Sequence, residues 1–268
     1  MLFSILIAHY NNFEYFKACY QSILNQTYQN FEIILVDDCS TDGSFEKICE
    51  LTKEDSRVKI HKNEHNKGVG FTKRKCVEMA SGEICGFVDP DDALEKNALE
   101  TMLQHYSLEK ITAVYSQFLL CDDLLNPKET FKNSAQVKNE NPLFFNIFLE
   151  INHFFTFRKS AYENTSGINP ELTSAVDQDL YLKIYEKGEV LFVKKPLYLY
   201  RLHEKGVSQQ KSKKGKLNQN WHSVLKETLK RRKITELYGK PVSEIENLPE
   251  FIFKKQNHIF TRLKRRFL

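Results

Sequence analysis

The N-terminal half of the chain alternates two hydrophobic periods. Residues 4–8 and 31–36 are short, almost uninterrupted apolar runs of the kind a buried strand requires. Between them Phe13, Phe16, Tyr20, Ile23 and Leu24 recur every three or four positions, which predicts an amphipathic helix packed on a sheet. Ser40-Thr41-Asp42-Gly43 supplies loop and capping chemistry before a second helical stripe of Phe45, Ile48, Cys49 and Thr52, and residues 57–61 read as a third strand. Asn66-Lys67-Gly68-Val69-Gly70 is a loop with backbone freedom leading to a helix over 72–80, which Ser81-Gly82 ends. Alternation of this kind predicts an α/β domain with a mainly parallel sheet.

The second half is less regular. The pattern predicts a helix over 94–106, a strand over 113–120, a polar loop over 121–142, an aromatic-rich region over 143–157 and a helix over 179–187. Short strands over 190–193 and 197–200 complete a mixed sheet. Past Gly206 the chain becomes lysine-rich, then helical around 221–238, so a boundary is expected near 210: one domain over 1–210 and a helical, basic extension over 211–268. There is no internal repeat.

Two strands end in acids. Ile84-Cys85-Gly86-Phe87-Val88 stops in Asp89-Pro90-Asp91-Asp92, and Phe31-Glu32-Ile33-Ile34-Leu35-Val36 stops in Asp37-Asp38. Clustered carboxylates repel one another and lose solvation, so the arrangement calls for a divalent cation or hydrogen-bond donors. Two acid-tipped strands of one parallel sheet predict a shared crevice above their carboxyl ends. Gly68-Val69-Gly70 lacks the lysine-serine ending of a P-loop and is read as a connecting loop.

Composition narrows the class. The 268 residues are 41% hydrophobic and 28% charged, with no apolar run near the roughly 20 residues of a membrane span. The first residues read as a strand rather than a signal peptide, which gives a cytoplasmic expectation. Cys19, Cys39, Cys49, Cys76, Cys85 and Cys121 have no paired spacing and are expected as reduced thiols. The net charge is only +4, which argues against nucleic acid as a partner, but 254–266 holds six of the basic residues and no acid. With Phe251, Ile252, Phe253, Ile259, Phe260, Leu263, Phe267 and Leu268 beside them, these predict peripheral attachment to an anionic membrane surface on its inner face.

An ordered set of motifs over residues 3–208 resembles the family 2 glycosyltransferases of the GT-A fold, inverting enzymes that use nucleotide sugars. The set runs Tyr10-Asn11, Ser22-Ile23-Leu24-Asn25-Gln26-Thr27-Tyr28, Val36-Asp37-Asp38-Cys39-Ser40-Thr41-Asp42, Asn66-Lys67-Gly68-Val69, Ala80-Ser81-Gly82-Glu83 and Phe87-Val88-Asp89-Pro90-Asp91-Asp92. Asp177-Gln178-Asp179-Leu180-Tyr181-Leu182 and Tyr200-Arg201-Leu202-His203 follow.

The resemblance implies that Asp38 meets the nucleotide base, with Ala8 and Tyr10 lining the same pocket, and that Asp37 is a structural partner. It implies that Asp89 and Asp91 face the ribose and a Mn2+- or Mg2+-bound diphosphate, that Asp92 is a further ligand or orienting group, and that His203 completes the metal or diphosphate site. Arg201 would add charge there. Lys73 and Arg74 stand in place of the family's usual Arg-Asn, which points Lys73 at the diphosphate. Asp177 occupies the position of the general base, with Asp179 as the alternative, and Val176 stands where many relatives carry glutamate. The aromatic cluster Phe144, Phe145, Phe148, Phe154, Phe155 and Phe157 suits either an acceptor pocket or core packing.

The expected function is inverting, metal-dependent transfer of a sugar from a nucleotide sugar, with UDP as carrier, to a hydroxyl of a glycan or lipid-linked acceptor in cell-surface polysaccharide synthesis. Two rivals are a phosphatase using the first acid of Asp89-Pro90-Asp91 as nucleophile, which Ala93 fits poorly, and a catalytically silent nucleotide-sugar-binding protein, motivated by Val176.

Overall fold

The computed structural model describes residues 1–204, 206 and 214–257. In chain order its elements are β1 (Phe3–His9), α1 (Phe13–Leu24), β2 (Phe31–Asp37), α2 (Ser44–Thr52), β3 (Val58–Lys62), α3 (Val69–Met79), β4 (Ile84–Phe87), β5 (Ala93–Leu94) and α4 (Ala98–Leu103). They continue with β6 (Ile111–Cys121), β7 (Pro127–Thr130), β8 (Phe155–Arg158), α5 (Lys159–Glu163), α6 (Val176–Tyr185), β9 (Glu189–Arg201), α7 (Lys214–Arg231), β10 (Glu236–Leu237), β11 (Lys240–Pro241) and α8 (Leu248–Gln256).

Nine of the described strands form one mixed sheet in the order β3-β2-β1-β4-β8-β6-β9-β5, with β7 added to β6. Parallel pairing carries most of the ladder, joining β3, β2, β1 and β4 and then β6 with β9, while β8 runs antiparallel between β4 and β6. Side chains of a strand alternate between faces, and the sequence uses both. Phe3, Ile5 and Ile7 enter one core with Phe16, Tyr20 and Ile23 of α1 and Leu99 and Met102 of α4. Leu6, Ile34 and Val36 enter the other with Cys76 and Val77 of α3 and Leu180 and Ile184 of α6. Helices on both faces are what near-continuous apolar strands demand, each fully buried Ile or Leu contributing about 1.5–3 kcal/mol.

Several elements differ from the sequence expectation. Residues 94–106 do not form one helix: Leu94 pairs with Tyr198 in β5, and α4 starts only after Asn97. The loop expected over 121–142 contains β7, a polar edge strand whose Pro-Lys-Glu-Thr sequence has no apolar alternation to reveal it. The two strands expected over 190–200 are one, β9, whose register shifts opposite Pro196, a residue without an N–H for the ladder. The helix expected at 179 begins at Val176, which places Asp177 in its first turn.

The boundary expected near 210 falls among residues outside the described set. Beyond it, Val224, Leu225 and Leu229 of α7 and Ile252 of α8 are buried in the same cluster as Leu6 and Val36. Of the proposed membrane-contacting residues, Ile252 is therefore a core residue, Phe253 is exposed, and Ile259, Phe260, Leu263, Phe267 and Leu268 lie outside the described residues. No helix among the described residues is long and apolar enough to cross a membrane. The six cysteines are free thiols. Phe144, Phe145, Phe154, Phe155 and Phe157 are buried in the two cores.

Candidate active site

Parallel register decides which residues share one edge of the sheet. His9 lies beside Asp37 and Leu6 beside Phe87, so the chain leaves β1, β2 and β4 at one edge. This edge is also where the strand order reverses, since β2 lies on one side of β1 and β4 on the other.

The acid pair after β2 divides its work. Asp37 is fully buried, pairs with His9 Nδ1 at 2.9 Å and accepts from the Ser40 N–H and hydroxyl at 2.8 and 2.5 Å. Burial pushes its carboxyl up, but the bonds from His9 and Ser40 overcome this and hold it below the usual carboxylate range. Asp38 accepts three protein hydrogen bonds, from Asn63 Nδ2 and the backbone N–H groups of Lys67 and Gly68, each at 2.8 Å. It thereby ties the β2 end to the loop that opens α3, where Gly68 takes φ +86. Ala8 is half-buried at the end of β1, and Tyr10, just beyond it, is 46% exposed.

The three acids after β4 point into different environments. Asp92 is buried, accepting from Tyr198 Oη at 2.7 Å and the Arg201 N–H at 2.8 Å. Burial, with Asp91 and Asp89 close by, raises its carboxyl well above the ordinary value. It fastens β9 to the acid loop and is not presented to the crevice. Asp91 is partly exposed, and its Oδ2 lies 2.8 Å from His203 Nε2, while its carbonyl accepts from Arg201 Nε at 2.6 Å. The His203 ring packs edge-on against Tyr15 at 4.5 Å, and Arg201 lies over the same Tyr15 ring.

Asp89 turns toward α3. Its Oδ1 is 3.0 Å from Lys73 Nζ, which donates at 2.8 Å to Oδ1 of Asp177. The Lys73 side chain is only 5% exposed, between carboxylates that are 28% and 34% exposed. Burial alone lowers an ammonium's pKa; here Asp177 and Asp89 outweigh it and hold Lys73 above the ordinary lysine value. For Asp89, burial is likewise overcome, by Lys73 and more weakly by His153, leaving the carboxyl below its ordinary value.

The loop before α6 approaches α3 this closely because Gly70 has no side chain: a Cβ there would stand 2.6 Å from the carbonyl oxygens of Asn169 and Leu172. Val176 is buried in the core. Asp179 is buried too, accepting from Lys183 Nζ at 2.8 Å and the Asn169 N–H at 2.9 Å, so it anchors the preceding loop. Arg74 is engaged by Glu78 and by the carbonyls of Ser166 and Ile168.

Folding thus joins Asp89, Lys73 and Asp177 directly, and Asp91 with His203, while Asp38 fixes the loop entering the helix that bears Lys73. It does not gather Asp89, Asp91 and His203 into one cluster: among the described residues no group of three His, Cys, Asp or Glu is arranged to hold a cation. Sequence reasoning missed Tyr198, Tyr15, Asn63 and His153. Tyr198 carried a weak signal, standing two positions before Tyr200 in the strand leading to His203; Tyr15 lies off the apolar stripe of α1 and carried none.

Residues 4–165 match the family model described as "Glycosyl transferase family 2". A chondroitin synthase of Escherichia coli is 29% identical over 255 residues, 95% of this chain, which spans 36% of that protein's length. The S. aureus protein TarS (residues 1–349), solved in complex with UDP-GlcNAc, superposes with a TM-score of 0.70 at 22% identity, over 85% of this chain and 67% of that one. A mannosyltransferase of Pyrobaculum calidifontis, solved with GDP-Man and Mn2+, gives a TM-score of 0.62 at 14% identity, over 97% and 69%. The two structural likenesses give the fold, and the family model covers more than half of the chain: it belongs to glycosyltransferase family 2 and has the GT-A fold.

Proposed function

We propose that the chain transfers a hexosyl or N-acetylhexosaminyl unit from a UDP-sugar to a hydroxyl of a glycan or lipid-linked acceptor, with inversion, in the synthesis of a cell-surface polysaccharide. The observation that carries this reading is the pair of links across the crevice, Asp91 to His203 and Asp89 through Lys73 to Asp177. The UDP-GlcNAc bound to TarS supports the choice of carrier, and the chondroitin synthase relative supports a glycan acceptor.

The residues fit a divalent cation on the donor. The 2.8 Å between Asp91 Oδ2 and His203 Nε2 is close to the roughly 3 Å between neighbouring ligands of an octahedron with 2.0–2.1 Å bonds. With only these two side chains paired, diphosphate oxygens would supply further ligands, the usual arrangement for Mg2+ and Mn2+ on nucleotides. When bound, the cation stabilises the charge that develops on the departing diphosphate. Asp89 holds the donor's ribose side, and Lys73, whose third N–H has no protein acceptor among the described residues, offers it to the diphosphate.

Asp177 takes the proton from the acceptor hydroxyl as its oxygen attacks the anomeric carbon, opposite the diphosphate. The new glycosidic bond forms as the bond to the diphosphate breaks, so one displacement inverts the configuration without a covalent intermediate. The partial exposure of Asp177 supports the role, and the burial of Asp179 argues for Asp177 over it. Asp38, Ala8 and Tyr10 form the wall for the base. The test is nucleotide release from a panel of UDP-sugars and GDP-mannose with Mn2+ or with chelator, followed by NMR of the anomeric product. Turnover with GDP-mannose alone overturns the UDP assignment, and full turnover in chelator overturns the metal.

A further inference from the structure

One ammonium serves two acids that the family reading assigns to different substrates. Lys73 is in α3, Asp89 follows β4 on the donor side, and Asp177 opens α6 on the acceptor side; Nζ reaches them at 3.0 and 2.8 Å. A lysine this deeply enclosed has little rotameric freedom, because α3 packs closely against the loop before α6 at Gly70 and its own side chain passes over the Phe87 ring, 5.1 Å from the centroid. On Asp177 only Oδ1 has a hydrogen bond among the described residues, to Lys73. The carboxylate is therefore gripped by one oxygen, with the other unengaged by any described residue.

We propose that Lys73 is the positioning residue of Asp177: by holding Oδ1 it fixes the carboxylate so that Oδ2 receives the acceptor proton. Through Asp89, the same ammonium ties that orientation to the donor side. This rests on Asp177 being the base. It goes further than diphosphate binding by Lys73, which needs no bond to Asp177. A base held at one oxygen avoids the rotational search that a free carboxylate makes at each turnover, and misplacement of a reacting group by about 1 Å costs on the order of 10²-fold.

The experiment is a double-mutant cycle. Wild type, Lys73→Met, Asp177→Asn and the double variant are assayed for UDP release from the UDP-sugar most active with the wild type, and UDP binding with Mn2+ is measured by calorimetry. The expected result is a fall in kcat of about 10–100-fold for Lys73→Met in the wild-type background and no more than about threefold in the Asp177→Asn background, because the partner it acts through is already gone. Any loss of UDP affinity from Lys73→Met should be equal in both backgrounds. Multiplicative effects on kcat overturn the proposal, leaving Lys73 a donor-binding residue only. Near-normal kcat in Asp177→Asn alone instead overturns the base assignment, and the two failures are distinct. If Lys73→Met melts below the assay temperature, Lys73→Arg replaces it in the cycle: the guanidinium keeps the charge but changes the geometry at Asp177, so a kcat loss confined to the Asp177 background supports the proposal and an unchanged kcat overturns it.

Discussion

Asp177 and Asp179 stand two positions apart in the first turn of α6 and meet opposite surroundings, one partly exposed on Lys73 and the other buried on Lys183. Substituting each in turn is expected to separate catalysis from stability. Asp177→Asn is expected to lower kcat by about 10²–10⁴-fold, the usual contribution of a general base, with UDP affinity and melting temperature close to wild type. Asp179→Ala leaves Lys183 as an unpaired buried cation and is expected to cost about 3–5 kcal/mol in denaturant unfolding. The reverse pattern would reassign the base to Asp179.

His203 meets Asp91 through Nε2, and its Nδ1 is buried without a partner among the described residues. His203→Ala is therefore expected to weaken Mn2+ binding in the presence of UDP by about 10–100-fold, a range typical of lost metal-site groups. Asp91→Ala is expected to abolish metal-supported turnover. Calorimetric titration of Mn2+ into the UDP complex checks the first, and equal Mn2+ affinity in His203→Ala would remove that residue from the cation site.

Asp37 sets an acid limb of stability. Its folded carboxyl lies below the ordinary range, so its ionised form stabilises the fold at pH above the unfolded value of about 3.9, and that contribution disappears as pH falls through the lower folded value. Asp37→Asn is expected to lose about 1–3 kcal/mol at neutral pH, the cost of buried groups left unsatisfied, and to show a shallower decline below about pH 4. Urea unfolding at a series of pH values measures both.

The three bonds accepted by Asp38 predict where its removal is felt. Asp38→Ala should speed amide hydrogen exchange at Lys67 and Gly68, whose N–H groups it holds, and should reduce UDP affinity through the loosened entrance to α3. Unchanged exchange at both amides would contradict the anchoring.

For the basic C-terminus, the burial of Ile252 and Gln256 fixes the design of the test. A chain cut after Asn257 keeps α8 in the core and removes only residues beyond it. The full chain is expected to sediment with vesicles containing anionic lipid at low salt and the shortened chain to remain in the supernatant. Equal sedimentation of the two would end the membrane proposal.

The sequence by itself determined the α/β alternation and the acid-tipped ends of β2 and β4, because alternation of buried side chains and strand-end acids are local properties of the chain. It placed α1 at Phe13–Leu24, where the apolar stripe is strong. It lost β7, whose edge position frees it from any apolar pattern, and divided β9 at Pro196, where one missing donor resembles a strand end. Only the tertiary structure decided which acids are buried in bonds of the fold and which stay partly exposed. Asp177 and Asp179, or Asp91 and Asp92, are equivalent as residue types; what separates them is their partners, since Lys73, His203 and Tyr198 are brought within hydrogen-bond reach from distant segments while Lys183 stands four positions on in the same helix as Asp179. The distant partners arrive through the close approach of α3 to the loop before α6 at Gly70 and through the register of β9 against β6, neither of which is written in the neighbourhood of the acids themselves.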